Sequence, residues 1–452
     1  MTGLRQLARF ASQFSLEQAT ELVIKAAKSC VLDTMGSALG AVHSDEIPTI
    51  CLELQEWAKS SSEIQARVWG QGFRLDVFQA LLANGMMGHA LELDDVHTGS
   101  KSHIGAVVVT TAWTVADGQQ KNGKDFLEAV IVGYEIMARV GMAMDVVSNR
   151  KRGWHATGII GTFGAAAAAG HLLGLTEDQM VSALGMAGTQ SSGLWAFLAE
   201  GATCKKLHPA RAAVNGLTAA ILAKAGMTGP EHILDAADGG LYRAVSDSWD
   251  TDRLTEGLGS SFEIMKIDKK PYPCCRTTHH AIDAALALRK ELGAEELETV
   301  ETIQVDTYEV GVLQCGFPQY PESPVEAKFS IPYTVSAALV TGKATQAEFK
   351  EDVLNDRRIK SLAGKVTVVS NSLFSDRYPD RWGCRMTISL KDGRCLVKQI
   401  DDISGSILCP LTKEQEIMKF KDLAKEAMSE KDADRLIEEI MGIEELHVLP
   451  EI

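Results

Sequence analysis

From Gly153 to Thr176 the chain carries no Lys, Arg, Asp or Glu, but it holds six glycines, five consecutive alanines, His155 and His171. This stretch constrains the fold more than any other. It is too rich in small residues for a lipid-facing span, so it reads as a helix buried among closely packed neighbours. A fold that can bury such a helix needs other helices around it, and the first half of the chain supplies them. Helical periodicity fits 74–93, 104–117, 124–146, 156–174 and 208–225, with glycines at 40, 118, 174 and 226 closing elements. Capping boxes stand at Ser15–Gln18, Thr176–Gln179 and Thr412–Gln415, each before an apolar-periodic run. Leu4, Leu7, Ala8, Ala11 and Phe14 share one helical face, so Met1–Leu16 is read as the first helix of the fold rather than a targeting segment.

The pattern changes near Ser260. Residues 299–308 alternate apolar and polar residues, 365–370 is β-branched, and 384–390 with 395–400 reads as a hairpin across Asp392-Gly393. Helices are expected at 278–291 and 326–341, and helix returns after Thr412. The expected fold is therefore mainly α. A large all-helical domain takes residues 1–260 with 406–452, and a smaller α+β domain takes 261–405.

The charge balance sharpens what this fold can bind. With 45 Lys+Arg against 60 Asp+Glu in 452 residues, the net charge is −15. Nucleic acid is disfavoured as a partner, because phosphate binding needs a basic field. The nine scattered cysteines contain no C-x-x-C, which argues against zinc ribbons and clustered iron–sulfur ligands and fits reduced thiols in the cytoplasm. No G-x-G-x-x-G, P-loop or G-x-S-x-G is present.

What remains is His, Lys and carboxylate in four places. The first is His89-Ala-Leu-Glu92-Leu-Asp94-Asp95-Val-His97, followed by His103, at the end of an apolar helix. Carboxylate–imidazole pairs suit proton transfer, because the carboxylate sets the tautomer and raises the imidazole pKa. A metal site is an alternative use of the same residues. An Asp94–Asp95 metal site for prenyl transfer would need D-D-x-x-D, and the fifth position is Thr98. The second place is Gly153-Trp-His155 at a helix start. The third, Lys205-Lys206-Leu-His208-Pro-Ala-Arg211, and the fourth, Lys269-Lys270-Pro-Tyr-Pro-Cys274-Cys275-Arg276, are basic clusters ahead of helices. In an acidic protein, two such clusters suggest a site for a small polyanion.

In this order the four motifs resemble the MmgE/PrpD family, which includes 2-methylcitrate dehydratases, cis-aconitate decarboxylases and iminodisuccinate epimerases. The resemblance rests on residues 91–106, 153–175, 205–230, 269–283 and 326–339, and so spans nearly the whole chain. It implies a helical domain with a smaller α+β lid, an active site in the cleft between them, a homodimer, and no metal or organic cofactor. It also implies chemistry on the carbon next to a carboxylate of a small di- or tricarboxylate. Carried onto this sequence, it implies His103, His155, Lys205, Lys270 and Asp94 as catalytic residues. Glu92 and Asp95 of the same carried-over cluster, together with His208, Cys275, Arg276 and Tyr320, are expected to bind substrate. Dehydration or decarboxylation is the favoured reaction, and epimerisation or non-catalytic carboxylate binding the alternative. Many members have Asp where Glu92 stands, Thr where Val96 stands and proline where Ile104 stands. The decarboxylase branch carries His where Cys275 stands, and the epimerase branch carries Cys.

Overall fold

The uncharged stretch forms a helix, Ala156–Leu172, in which every residue except His171 is buried. The structure, a computed structural model, describes residues 1–58 and 63–452. Around this helix pack the helices Gly105–Gly118, Gly123–Met142, Glu177–Gly188 and Leu207–Lys224. Small residues are what permit this. A Cβ on Gly216 would stand 2.4 Å from the Ala165 Cβ and 2.6 Å from the Ala166 nitrogen, so the two helices meet almost backbone to backbone. Among the described residues, no helix is long and apolar enough to cross a membrane.

Two compact units can be distinguished. The first comprises Met1–Ala196, Cys204–Asp268 and Thr412–Ile452, and the second Phe197–Thr203 with Lys269–Leu411. In the first, helix Gly3–Gln13 buries Leu4, Leu7, Ala8 and Ala11, the face read from the sequence. The C-terminal helices Lys413–Ala424 and Glu430–Met441 both pack on helix Glu21–Leu39.

The second unit is built on a four-stranded sheet in the order Val366–Ser370, Val300–Thr307, Cys384–Leu390, Cys395–Ile400. Its first pair is parallel and the other two antiparallel. Helix His279–Glu291 packs on the hairpin strands and on helix Ile331–Thr341.

Several elements depart from the sequence reading for local reasons. The helix expected from 74 begins at Val77, because Arg74–Asp76 pairs as a strand with Gln65–Arg67 and the Asp76 carboxylate caps the helix through Phe78 N–H. The Ser15 box closes only one 3₁₀ turn, Leu16–Gln18; helix Glu21–Leu39 starts later, with Thr20 as its cap. Residues 124–146 split at Asp145, whose side chain caps a new short helix, Val146–Lys151. The 326–341 helix is broken as well. Pro332 has no N–H to continue an earlier helix, and Ser330 caps a fresh start at Ile331.

Candidate active site

The loop from Leu91 to Ile104 joins helices Val77–Ala90 and Gly105–Gly118 and carries the acidic cluster. Pairing of Val96–His97 with Ile267–Asp268 anchors its middle. His97 adds contacts to Ser100 Oγ at 2.9 Å and Glu263 at 3.3 Å.

Asp94, fully buried, holds two imidazoles at once. Its Oδ2 is 2.8 Å from His89 Nδ1 and 3.2 Å from His103 Nδ1. Burial alone would raise this carboxyl's pKa, but the two imidazoles outweigh it and hold the pKa well below the usual range. His103 Nδ1 also lies 3.0 Å from the Asp95 carbonyl, which can only accept, so Nδ1 carries the hydrogen. Neutral His103 therefore keeps its lone pair on Nε2, the nitrogen that can act as a base. The ring is tied from the other side by its backbone N–H, which donates to Thr157 Oγ1 at 3.0 Å.

His89 also belongs to this centre, although no role was assigned to it from the sequence. The i, i+3 spacing of His89 and Glu92 at a helix end was the available signal. Its Nε2 is buried without a hydrogen-bond partner and stands 3.4 Å from Glu92 Oε1. Glu92 sits at φ +58°, a left-handed conformation that costs a non-glycine residue on the order of 1–3 kcal/mol. That backbone turns its carboxylate toward Lys205, whose Nζ donates to both oxygens at 2.6 Å. Both side chains are buried. The expected anion-binding lysine is thus already neutralised by a protein carboxylate. Any anion that met Lys205 would have to share it with Glu92 or displace Glu92.

His155 precedes the central helix, as expected. Its Nδ1 lies 2.9 Å from His208 Nδ1, and its ring meets the Trp195 ring edge-on at 5.5 Å. The His155 ring is 6.2 Å from that of His89 and 6.5 Å from that of His103. Burial, then Lys205 and the other imidazoles, hold His155 well below the ordinary histidine pKa, and burial, Lys205 and His89 lower His208 to about 4. Trp195 carried no chemical motif and was missed from the sequence.

Asp95 does not fit the substrate-binding role expected of it. It is fully buried, accepting from Gly105 N–H at 2.9 Å on one oxygen and from Tyr134 O–H at 2.5 Å on the other. Burial and the nearby Asp33 carboxylate raise its pKa to about 7. Lys419, from a C-terminal helix, donates to Asp33 at 2.7 Å and to the Leu93 carbonyl at 2.9 Å, bracing the same loop. Asp95 thus meets internal partners through its carboxylate, while its carbonyl holds His103 Nδ1.

The structure brings Glu92, Asp94, Asp95, His103, His155, Lys205 and His208 together in the first unit. Lys270, Cys275, Arg276 and Tyr320 belong to the second. Lys270 is fully buried there. Cys275 Sγ accepts from Gln314 at 3.1 Å. Two of the substrate-binding assignments meet internal partners instead. Arg276 is buried, with Nη1 at 3.1 Å from His279 and 2.8 Å from the Ser404 carbonyl, and the Tyr320 hydroxyl donates to the Leu354 carbonyl at 2.7 Å.

His89, Asp94 and His103 could supply a metal with one atom each, all within 4.8 Å of one another. Asp95 does not join them, because its carboxylate faces Tyr134. The two adjacent aspartates therefore do not act as a shared chelate of the prenyl-transfer kind.

Comparison with known proteins matches the chain to one family. The model for the MmgE/PrpD N-terminal domain matches residues 5–254, and that for the MmgE/PrpD C-terminal domain matches 272–445. The chain is 30% identical to human cis-aconitate decarboxylase, over 94% of this chain and 89% of that protein. It is 26% identical to cis-aconitate decarboxylase of Aspergillus terreus, over 98% and 93%. It is 25% identical to 2-methylcitrate dehydratase of Salmonella typhimurium, over 83% and 80%. With both domain models matched and relatives aligned along nearly its whole length, the chain belongs to the MmgE/PrpD family.

Proposed function

We propose that the protein is a lyase acting on the carbon next to a carboxylate of a small di- or tricarboxylate, without a metal or organic cofactor. The observation that carries this reading is His103. Its Nδ1–H is fixed by the Asp95 carbonyl and lies 3.2 Å from the Asp94 carboxylate, which puts the basic lone pair on Nε2. Relatives named as a decarboxylase and a dehydratase support the lyase class.

In dehydration, His103 takes the proton next to a carboxylate. The C–H electron pair forms the double bond, and a β-hydroxyl leaves as water with a proton from His155. In decarboxylation, the C–CO₂ bond breaks instead, and its electron pair captures a proton from an imidazole. Either path builds negative charge beside the substrate carboxylate. Lys205, sharing its charge between Glu92 and substrate, and Lys270 are the residues assigned to stabilise it.

The test is proton NMR in D₂O with citrate, 2-methylcitrate, cis-aconitate, tartrate and iminodisuccinate. An alkene product or CO₂ loss supports the lyase. Deuterium entry with the carbon skeleton intact and the stereocentre inverted would replace it with epimerisation, and binding without exchange would leave a carboxylate-binding protein. His103→Gln is expected to abolish both turnover and exchange. His155→Gln is expected to slow the second proton step and keep partial exchange.

A further inference from the structure

His155 and His208 face each other through the same ring nitrogen, Nδ1 to Nδ1, at 2.9 Å. A hydrogen bond between two such nitrogens needs one proton, so the rings must be opposite tautomers. We infer that His208 is the outward half of a two-imidazole relay, exchanging with water the proton that His155 takes from or gives to the substrate. This rests on the reading that His155 moves a substrate proton.

The pair sits in a built socket. His155 N–H donates to the Gly193 carbonyl at 3.0 Å. Gly193 has φ +114°, and a Cβ there would lie 3.3 Å from His208 Cγ and Nδ1. A Cβ on Gly158 would lie 3.4 Å from His208 Cβ and 2.2 Å from the Ser192 carbonyl oxygen. Both glycines let the rings approach. His155 is buried, whereas His208, in the first turn of helix Leu207–Lys224, is half-buried. The relay therefore runs from the interior toward the surface.

The surroundings call for such a relay. His155 is faced by the Lys205 ammonium, the His89 and His103 rings, and Trp195, whose ring lies 4.2 Å from the Arg150 guanidinium carbon. A lasting imidazolium is disfavoured there, and both rings titrate below the ordinary range. The relay avoids that charge. As His155 Nε2 takes a proton, its Nδ1–H bond breaks and a new N–H bond forms at His208 Nδ1. His208 then releases its Nε2 proton to water. Both rings are neutral before and after, and the reverse sequence delivers a proton to the substrate.

The test pairs imidazole ¹⁵N NMR at pH 7 with kinetics of His208→Ala and His208→Gln. One Nδ1–H ring and one Nε2–H ring, both neutral, is the expected pattern. Identical tautomers, or a charged ring, would overturn the relay whatever the activity. On whichever screened polycarboxylate the wild type turns over, kcat should fall about 10–100-fold with KM within about threefold. Added imidazole should restore the Ala variant in a concentration-dependent way. Unchanged kcat, or a rise in KM alone without rescue, makes His208 a binding or structural residue. If the wild type turns over none of the five, the lyase proposal fails and the relay falls with it, whereas turnover with identical tautomers or a charged ring overturns the relay alone.

Discussion

At the residue scale, the Glu92–Lys205 pair changes what a lysine variant should do. A lone anion-binding lysine could be removed at the expense of activity only. Here Lys205→Ala removes the cation that neutralises the buried Glu92 carboxylate, and breaking a buried pair costs about 3–5 kcal/mol. The variant should be clearly less stable in urea, and Glu92→Gln/Lys205→Ala should regain part of the loss. Equal stability of wild type and Lys205→Ala would mean the pair is open in solution. Asp95 makes a different prediction. Its folded pKa of about 7 lies above the ordinary 3.8, so the folded state holds the proton more tightly. Its contribution is therefore fully present below about pH 4, falls as pH rises toward 7 and levels off above. Urea melts at pH 5 and pH 8 should show Asp95→Asn losing less stability between them than the wild type. Asp95→Ala should be weaker at both, by about 1–3 kcal/mol for each donor left without a partner. A common pH slope for wild type and Asn variant would show that Asp95 is ionised throughout.

At the scale of elements, helix Ala156–Leu172 has no solvent face, so its stability comes from how near its neighbours stand. Gly216→Ala gains about 1 kcal/mol of helix propensity. It also places a methyl 2.4 Å from Ala165 Cβ, and overpacking of that kind costs about 1–3 kcal/mol, more if the helices cannot move apart. A lower melting temperature is expected, and a higher one would show that the pair has slack. The acidic loop is held by elements distant in sequence: the strand at 267–268, Tyr134 of a central helix, and Lys419 near the C-terminus. This explains why one side of Asp94 can be committed to two imidazoles without collapse of the loop.

At the scale of the whole molecule, the family models match both halves of the chain, and the cofactor question becomes a measurement. Activity should survive EDTA dialysis. Loss restored by a single added metal would turn His89, Asp94 and His103 into ligands. The homodimer implied by the resemblance predicts a light-scattering mass twice that of the chain, and a single-chain mass would remove it.

The sequence by itself determined the elements and the chemistry in stock. Alternation marked the strands of the second unit, small residues marked the buried helix, and Thr176 and Thr412 marked helix starts where reciprocal caps form. These signals are local, set by backbone geometry within a few residues. The motif order also identified the family. Only the tertiary structure decided which charged group meets which. Lys205 finds Glu92 across 113 positions, His155 finds His208 across 53, and Asp95 finds Tyr134 across 39. Adjacent Asp94 and Asp95 look alike in sequence, yet one faces two imidazoles and the other the interior of a helix bundle. Neighbours in a turning loop point in different directions, and burial makes each carboxylate take whatever donor the packed helices bring to it.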